Sequence, residues 1–199
     1  MGTGVIDVSI IKLVVGLGNP GKEYENTRHN VGFWLVDQLA HIHKQHFKSE
    51  SKFLAEVCKV NISGHPVWLL KPQTYMNRSG QSIHKLANFY KIHPQEVLVV
   101  HDDLDLNPGI SKFKTEGGHG GHNGLRDTIN HLQTKQFNRL RIGIGHPGDR
   151  NQVSNFVLHP PAKNEHQLID ESISSALDVM NLIISGDHAA TMNKLHSKN

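Results

Sequence analysis

The residues best able to do chemistry stand in short loops rich in glycine, asparagine and histidine. Gly16-Leu17-Gly18-Asn19-Pro20-Gly21 follows an apolar run and has the spacing G-x-G-x-x-G. That spacing suits a dinucleotide when a helix opens on the last glycine and an acidic residue follows about 20 positions on. Here Pro20 removes a backbone N–H, the next residues are polar and irregular, and Asp37 falls inside a predicted helix. The other reading is a turn that lets backbone pass close to a ligand and presents Asn19. Thr27-Arg28-His29-Asn30 then puts His29 at a helix start, where the helix N-terminus favours the neutral imidazole. Such a histidine suits a general base near neutral pH, although taken alone a cap or a surface position is the commoner reason for a histidine there.

Lys71 to Gly80 contains Tyr75-Met76, two bulky groups able to form a stacking wall, with Asn77 or Ser79 as candidate helix caps. His101-Asp102-Asp103-Leu104-Asp105 has two readings. One is a metal cradle completed by His119 or His122, although Leu104 interrupts the series. The other is a carboxylate that orients a histidine and stabilises its imidazolium. Glu116-Gly117-Gly118-His119-Gly120-Gly121-His122-Asn123-Gly124 exposes backbone N–H groups before a helix, which suits an anion or a carbonyl, or a plain connector. Nucleophile elbows, H-E-x-x-H and P-loops are absent, and Cys58 lies in an alternating strand as a core residue.

Composition narrows the class. The chain has 199 residues, 16 histidines, one cysteine and a formal net charge of +3. One cysteine excludes a disulfide framework and a cysteine-based zinc site. No run approaches the roughly 20 apolar residues of a membrane span. The first residues lack a basic stretch and an apolar stretch, so the expectation is a cytoplasmic enzyme or binding protein. The last forty residues hold three lysines against five carboxylates. The rest holds eighteen cations against thirteen acids, a net +5 that suits a polyanionic partner or a scattered solvated surface.

The elements that must position these loops alternate. Ile10 to Leu17 reads as a buried strand, Asn30 to Gln45 as a helix, and Lys52 to Val60 and Pro66 to Leu70 as strands. Gln81 to Tyr90 is an amphipathic helix with Ile83, Leu86, Ala87 and Tyr90 on one face. Val97 to Val100 is a buried strand, Ile110 to Lys114 an edge strand, Leu125 to Leu132 a helix and Leu140 to Ile144 a strand. A long helix follows from about Asn164, with Ile169, Ile173, Ala176, Met180 and Ile183 at helical spacing. The order β-α-β-β-α-β-β-α-β-α predicts an α/β fold of one domain over residues 1–199, its sheet mixed, twisted and mostly parallel, surrounded by helices. In such sheets ligands collect at the carboxyl ends of the strands, where these loops lie.

Taken in order, Gly16 to Gly21, Tyr24, Thr27 to Asn30, Tyr75-Met76-Asn77, His101 to Asp105, Gly117 to Gly124 and Arg139-Leu140-Arg141-Ile142-Gly143-Ile144-Gly145-His146-Pro147 resemble the bacterial-type peptidyl-tRNA hydrolases. The resemblance runs from about Ile11 to the final helix and leaves residues 1–10 as an extension. It implies a monomer that cleaves the ester joining a peptide to the 3′ ribose of tRNA, with no metal and no cofactor. His29 would be the base that takes a proton from water, and Asp102 would hold that imidazole. Asn19 would meet the peptide backbone near the ester. Asn77 and Asn123 would hydrogen-bond the substrate, and His122 would support the site. Tyr24 and Tyr75 would contact the tRNA end, with Met76 lining the groove. Lys112, Lys114 and Arg141 are candidate phosphate contacts on the ground of charge. Two rivals stay open: a metal-dependent hydrolase built on His101, Asp102 and Asp103, and a non-catalytic nucleotide- or RNA-binding domain.

Overall fold

The computed structural model describes residues 9–197. Of the expected N-terminal extension, residues 1–8 lie outside the described residues. A seven-stranded sheet has the order β2-β3-β4-β1-β5-β7-β6. Its strands are β1 (Leu13–Gly16), β2 (Lys48–Glu50), β3 (Ala55–Ile62), β4 (His65–Pro72), β5 (Val97–Asp103), β6 (Ser111–Lys114) and β7 (Asn138–Gly143). The centre β4-β1-β5-β7 is parallel, while β2, β3 and β6 add antiparallel pairs at the two sides. The mixed, mostly parallel sheet is the one expected, and β6 is an edge strand.

Helices cover both faces, which is why the central strands are apolar at nearly every position. They are α1 (Val31–Ile42), α2 (Ser79–Phe89), α3 (Asn123–Leu132), α4 (Val153–Val157), α5 (Lys163–Asp178), α6 (Met180–Ile184) and α7 (His188–His196). Side chains alternate along β5. Leu98 and Val100 join the core under α1, α5 and α6, whereas Val97 and Val99 join the one under α2 and α3. By the same alternation His101 falls on the α2/α3 side and Asp102 on the α1 side. A close approach then fixes the site: a Cβ at Gly16 would stand 2.2 Å from the Gly32 carbonyl oxygen. The start of α1 therefore lies directly on the end of β1, beside β5.

Several expectations change. The short β2 carries no apolar signal because it is an outer strand whose residues face solvent. Phe53, expected in a strand, stands in a 3-10 turn, and β3 starts only after Leu54 turns left-handed at φ 54°. Neither Asn77 nor Ser79 caps α2. The Ser79 hydroxyl donates to the Met76 carbonyl, and Asp127 of α3 accepts the Gly80 N–H at 2.8 Å. The single terminal helix is three helices. The chain leaves helical geometry at Val179 and turns at Gly186, where φ is 80°, before Asp187 caps α7. Its apolar stripe survives, since Ile169, Ile173, Ala176, Met180 and Ile183 are all buried. At the sheet's β6 edge, α7 brings His196 Nε2 to accept the Phe113 N–H at 3.3 Å.

Candidate active site

The carboxyl ends of β1, β4, β5 and β7 open into a cleft of about 1060 Å³. Its hub is Asp102, near the end of β5 and 3% exposed. One oxygen, Oδ1, is approached at 2.8 Å by His29 Nδ1 and at 2.8 Å by His122 Nε2. The hydrogen-bond network assigns both tautomers. His122 caps α3, and its Nδ1 accepts the N–H groups of Gly124 (3.1 Å) and Leu125 (3.3 Å). Its proton is therefore on Nε2 and is donated to Asp102. His29 likewise donates Nδ1–H, which leaves its Nε2 lone pair in a residue that lines the cleft. Burial alone would raise the Asp102 pKa, but His29 and His122 outweigh it and hold the carboxyl well below its usual range. Asp102 is a carboxylate at neutral pH.

His29 occupies a 3-10 turn, Arg28–Asn30, that leads into α1. The next residue, Asn30, does work that its place in the sequence did not reveal. Its Oδ1 accepts the Asn19 N–H and its Nδ2 donates to the Asn19 carbonyl, both at 2.9 Å. Asn19 is thus clamped, and its own Oδ1 accepts the Met76 N–H at 2.7 Å. What Asn19 keeps for a ligand is its amide N–H pair, a donor suited to a carbonyl oxygen. Met76 is buried, while Tyr75 beside it is 60% exposed. Asn77 and Asn123 are exposed members of the same lining. Tyr24 lies off the lining, with its ring edge-on to Tyr75 at 6.3 Å between centroids.

The expected cations form an array. Lys112 is opposite Arg141 and Lys114 opposite Arg139 on the antiparallel pair β6–β7, so all four project from one face. Like charges directly opposed across strands are unfavourable without a counter-charge. Asp103 supplies one, accepting from Arg141 Nε at 2.7 Å. Arg139, not one of the three candidate phosphate contacts, is buried and donates to the carbonyls of Gly117 and Gly118. It thereby ties down the glycine loop that ends in His122 and Asn123. Burial, then Arg141, push the Arg139 pKa down to about 10, so it stays charged. Lys114 and Arg141 reach the cleft lining, whereas Lys112, on the same strand as Lys114, lies off it.

His29, Asp102 and His122 bring potential ligand atoms within 4.8 Å of one another. The donor set does not fit a metal. Both ring nitrogens aimed at Asp102 carry protons, and freeing His122 Nε2 would put a proton on Nδ1, against two backbone N–H donors. The cradle read from His101, Asp103 and Asp105 is likewise not formed. Asp103 is engaged by Arg141 and by the Asp105 N–H, and His101 Nδ1 donates to the Asp102 carbonyl at 2.7 Å. His119 is spent within its own loop, accepting from Gly121 N–H.

Two histidines on one buried carboxylate, beside a clamped asparagine, are the chemistry of a hydrolase that activates water with a histidine base, here at the end of a parallel sheet. The peptidyl-tRNA hydrolase family model matches residues 13–199, and the chain belongs to that family. Peptidyl-tRNA hydrolase of Ruthia magnifica subsp. Calyptogena magnifica is 57% identical over 188 residues, 94% of this chain and 98% of that one. The Neisseria gonorrhoeae enzyme of the same name is 54% identical over 94% of this chain and 98% of its own length. The crystal structure of peptidyl-tRNA hydrolase from Acinetobacter baumannii matches with a TM-score of 0.90 at 51% identity, covering 93% of this chain and 94% of that one.

Proposed function

We propose that this chain hydrolyses the ester between a peptide and the 3′ end of tRNA, with His29 as the base that activates water. The observation that carries this reading is the shared Asp102 Oδ1, which holds His29 with its proton on Nδ1 and its lone pair on Nε2. The water oxygen bonds to the ester carbonyl carbon as its proton passes to His29 Nε2. The imidazolium is stabilised by the Asp102 carboxylate. Negative charge on the carbonyl oxygen is met by asparagine amide donors, for which Asn19, Asn77 and Asn123 are the candidates. Collapse breaks the bond to the ribose oxygen, which takes the proton back and leaves as the tRNA hydroxyl. An ester needs no protein nucleophile for this, because the alkoxide is a better leaving group than an amine.

Lys112, Lys114 and Arg141 suit the phosphates of the tRNA end, and Tyr24 with Tyr75 offers ring faces and edges to its bases. Among the described residues no helix is long and apolar enough to cross a membrane. We assign the reaction to a cytoplasmic monomer. Incubation with N-blocked and free aminoacyl-tRNA, each with and without a chelator, tests the reading. The expected result is hydrolysis of the blocked form alone, unchanged by the chelator. Cleavage of both forms at one rate, or loss of activity on chelation, would overturn it.

A further inference from the structure

The cleft is lined by two unlike chemistries. Lys114, Arg139 and Arg141 make one part cationic, whereas Val153, Val157 and Leu158, on and just after α4, make another part apolar. Phosphates suit the first and peptide side chains the second. α4 has only five residues, too few to hold its shape unaided. Beyond its apolar packing, it is held at its exit by Arg28, the residue directly before His29.

Arg28 is 7% exposed, and its guanidinium lies 4.0 Å from the centre of the Phe156 ring. Nη1 donates to three carbonyls where the chain leaves α4: Phe156 at 3.2 Å, His159 at 3.2 Å and Pro160 at 3.0 Å. The Arg28 backbone N–H adds a bond to the His159 carbonyl at 3.2 Å. Nη2 meets Glu165 Oε2 at 2.7 Å, and that same oxygen accepts the Ala162 N–H at the start of α5. Burial would raise the Glu165 pKa. The Ala162 N–H and the Arg28 charge outweigh it and lower the pKa, so the partner is ionised at neutral pH. One side chain joins the catalytic turn, the exit of α4 and the entry of α5, yet the hydrolytic scheme gives it no task.

We propose that Arg28 is a positioning residue that locks the apolar α4 wall to the turn carrying His29, and so determines how well the enzyme holds the peptide beyond the residue at the ester. The proposal rests on the reading that the peptide lies along α4 and the tRNA along the cations. Lysine cannot replace the brace, because one ammonium on a flexible stem cannot serve three carbonyls and a carboxylate as a planar fork does.

The test measures kcat and KM for an N-acetyl-aminoacyl-tRNA and for a tRNA bearing a longer peptide, with Arg28→Lys, Glu165→Gln and Leu158→Ala. Arg28→Lys should raise KM several-fold for the long substrate and leave KM for the short one and both kcat values near wild type. Glu165→Gln should shift KM the same way, and it supplies the readout if Arg28→Lys does not fold. Leu158→Ala should give the same dependence on peptide length by altering the wall itself. Equal losses on both substrates, or a fall in kcat, would show that Arg28 only supports His29 and would overturn the proposal. A length effect for Leu158→Ala without one for the brace variants would refute the brace and leave the peptide's placement standing. No length effect in any folded variant would refute that placement, and the proposal with it.

Discussion

Asp102→Asn separates charge from geometry at the centre of the site. An asparagine oxygen in the place of Oδ1 can still accept His29 Nδ1–H and His122 Nε2–H, each now at 2.8 Å, so both rings keep their tautomers. What disappears is the negative charge facing the imidazolium that forms when water gives up its proton. Two unit charges roughly 4 Å apart at an effective dielectric of about 20 attract by about 4 kcal/mol. Because that attraction exists only once His29 is charged, it acts on the transition state, and its loss should lower kcat by about 10³. The assay is single-turnover hydrolysis of an N-blocked aminoacyl-tRNA at saturating enzyme, with far-ultraviolet dichroism confirming the fold. Asp102→Ala, which also removes the acceptor, should be at least as slow. A folded Asp102→Asn enzyme within tenfold of wild type would refute the electrostatic role given to this carboxylate.

His101 and the cations give two further tests. Burial, with His122 beside it, pushes the His101 pKa from 6.5 down to about 4. The unfolded chain therefore takes this proton first as pH falls from about 6.5 to 4, and stability is lost across that window, about 2 kcal/mol of it by pH 5. Urea unfolding at pH 7 and pH 5 should show that much less pH dependence in His101→Gln than in wild type, and identical dependence would refute the assignment. For binding, Lys114→Gln and Arg141→Gln in a His29→Ala background should each flatten the salt dependence of tRNA affinity by roughly one unit of log–log slope. An unchanged slope would mean that the contact is not made.

Much of this site was legible because its residue types are unusual for their places. Asn19, His29, Asp102, His122 and Asn123 stand in loops or at strand ends where packing does not call for them, and the cleft brings them together. The residues that hold them were harder to see. Asn30 works through the backbone of Asn19, Arg139 through glycine carbonyls, and Arg28 through carbonyls more than a hundred residues away. Such partners leave no spacing pattern in the chain. The strand and helix pattern was readable where one face is buried. It failed at β2, whose residues face solvent, and after Asp178, where the apolar stripe continues through a break in the helix. The cap of α2 has no local signal, because the carboxylate that accepts its Gly80 N–H arrives from α3.

The contact between His196 and the Phe113 N–H bears on self-association. A parallel-centred sheet ends in two rows of unpaired backbone groups, each a template for a strand from another molecule. At one end the template is only Lys48–Glu50, short and polar. At the other, β6 carries the apolar Phe113, and α7 both packs against it and occupies its outward N–H. The C-terminal helix is in this sense a guard against polymerisation. A chain cut before His188 would present a bare, partly apolar strand and should lose solubility with rising concentration before it loses its catalytic machinery.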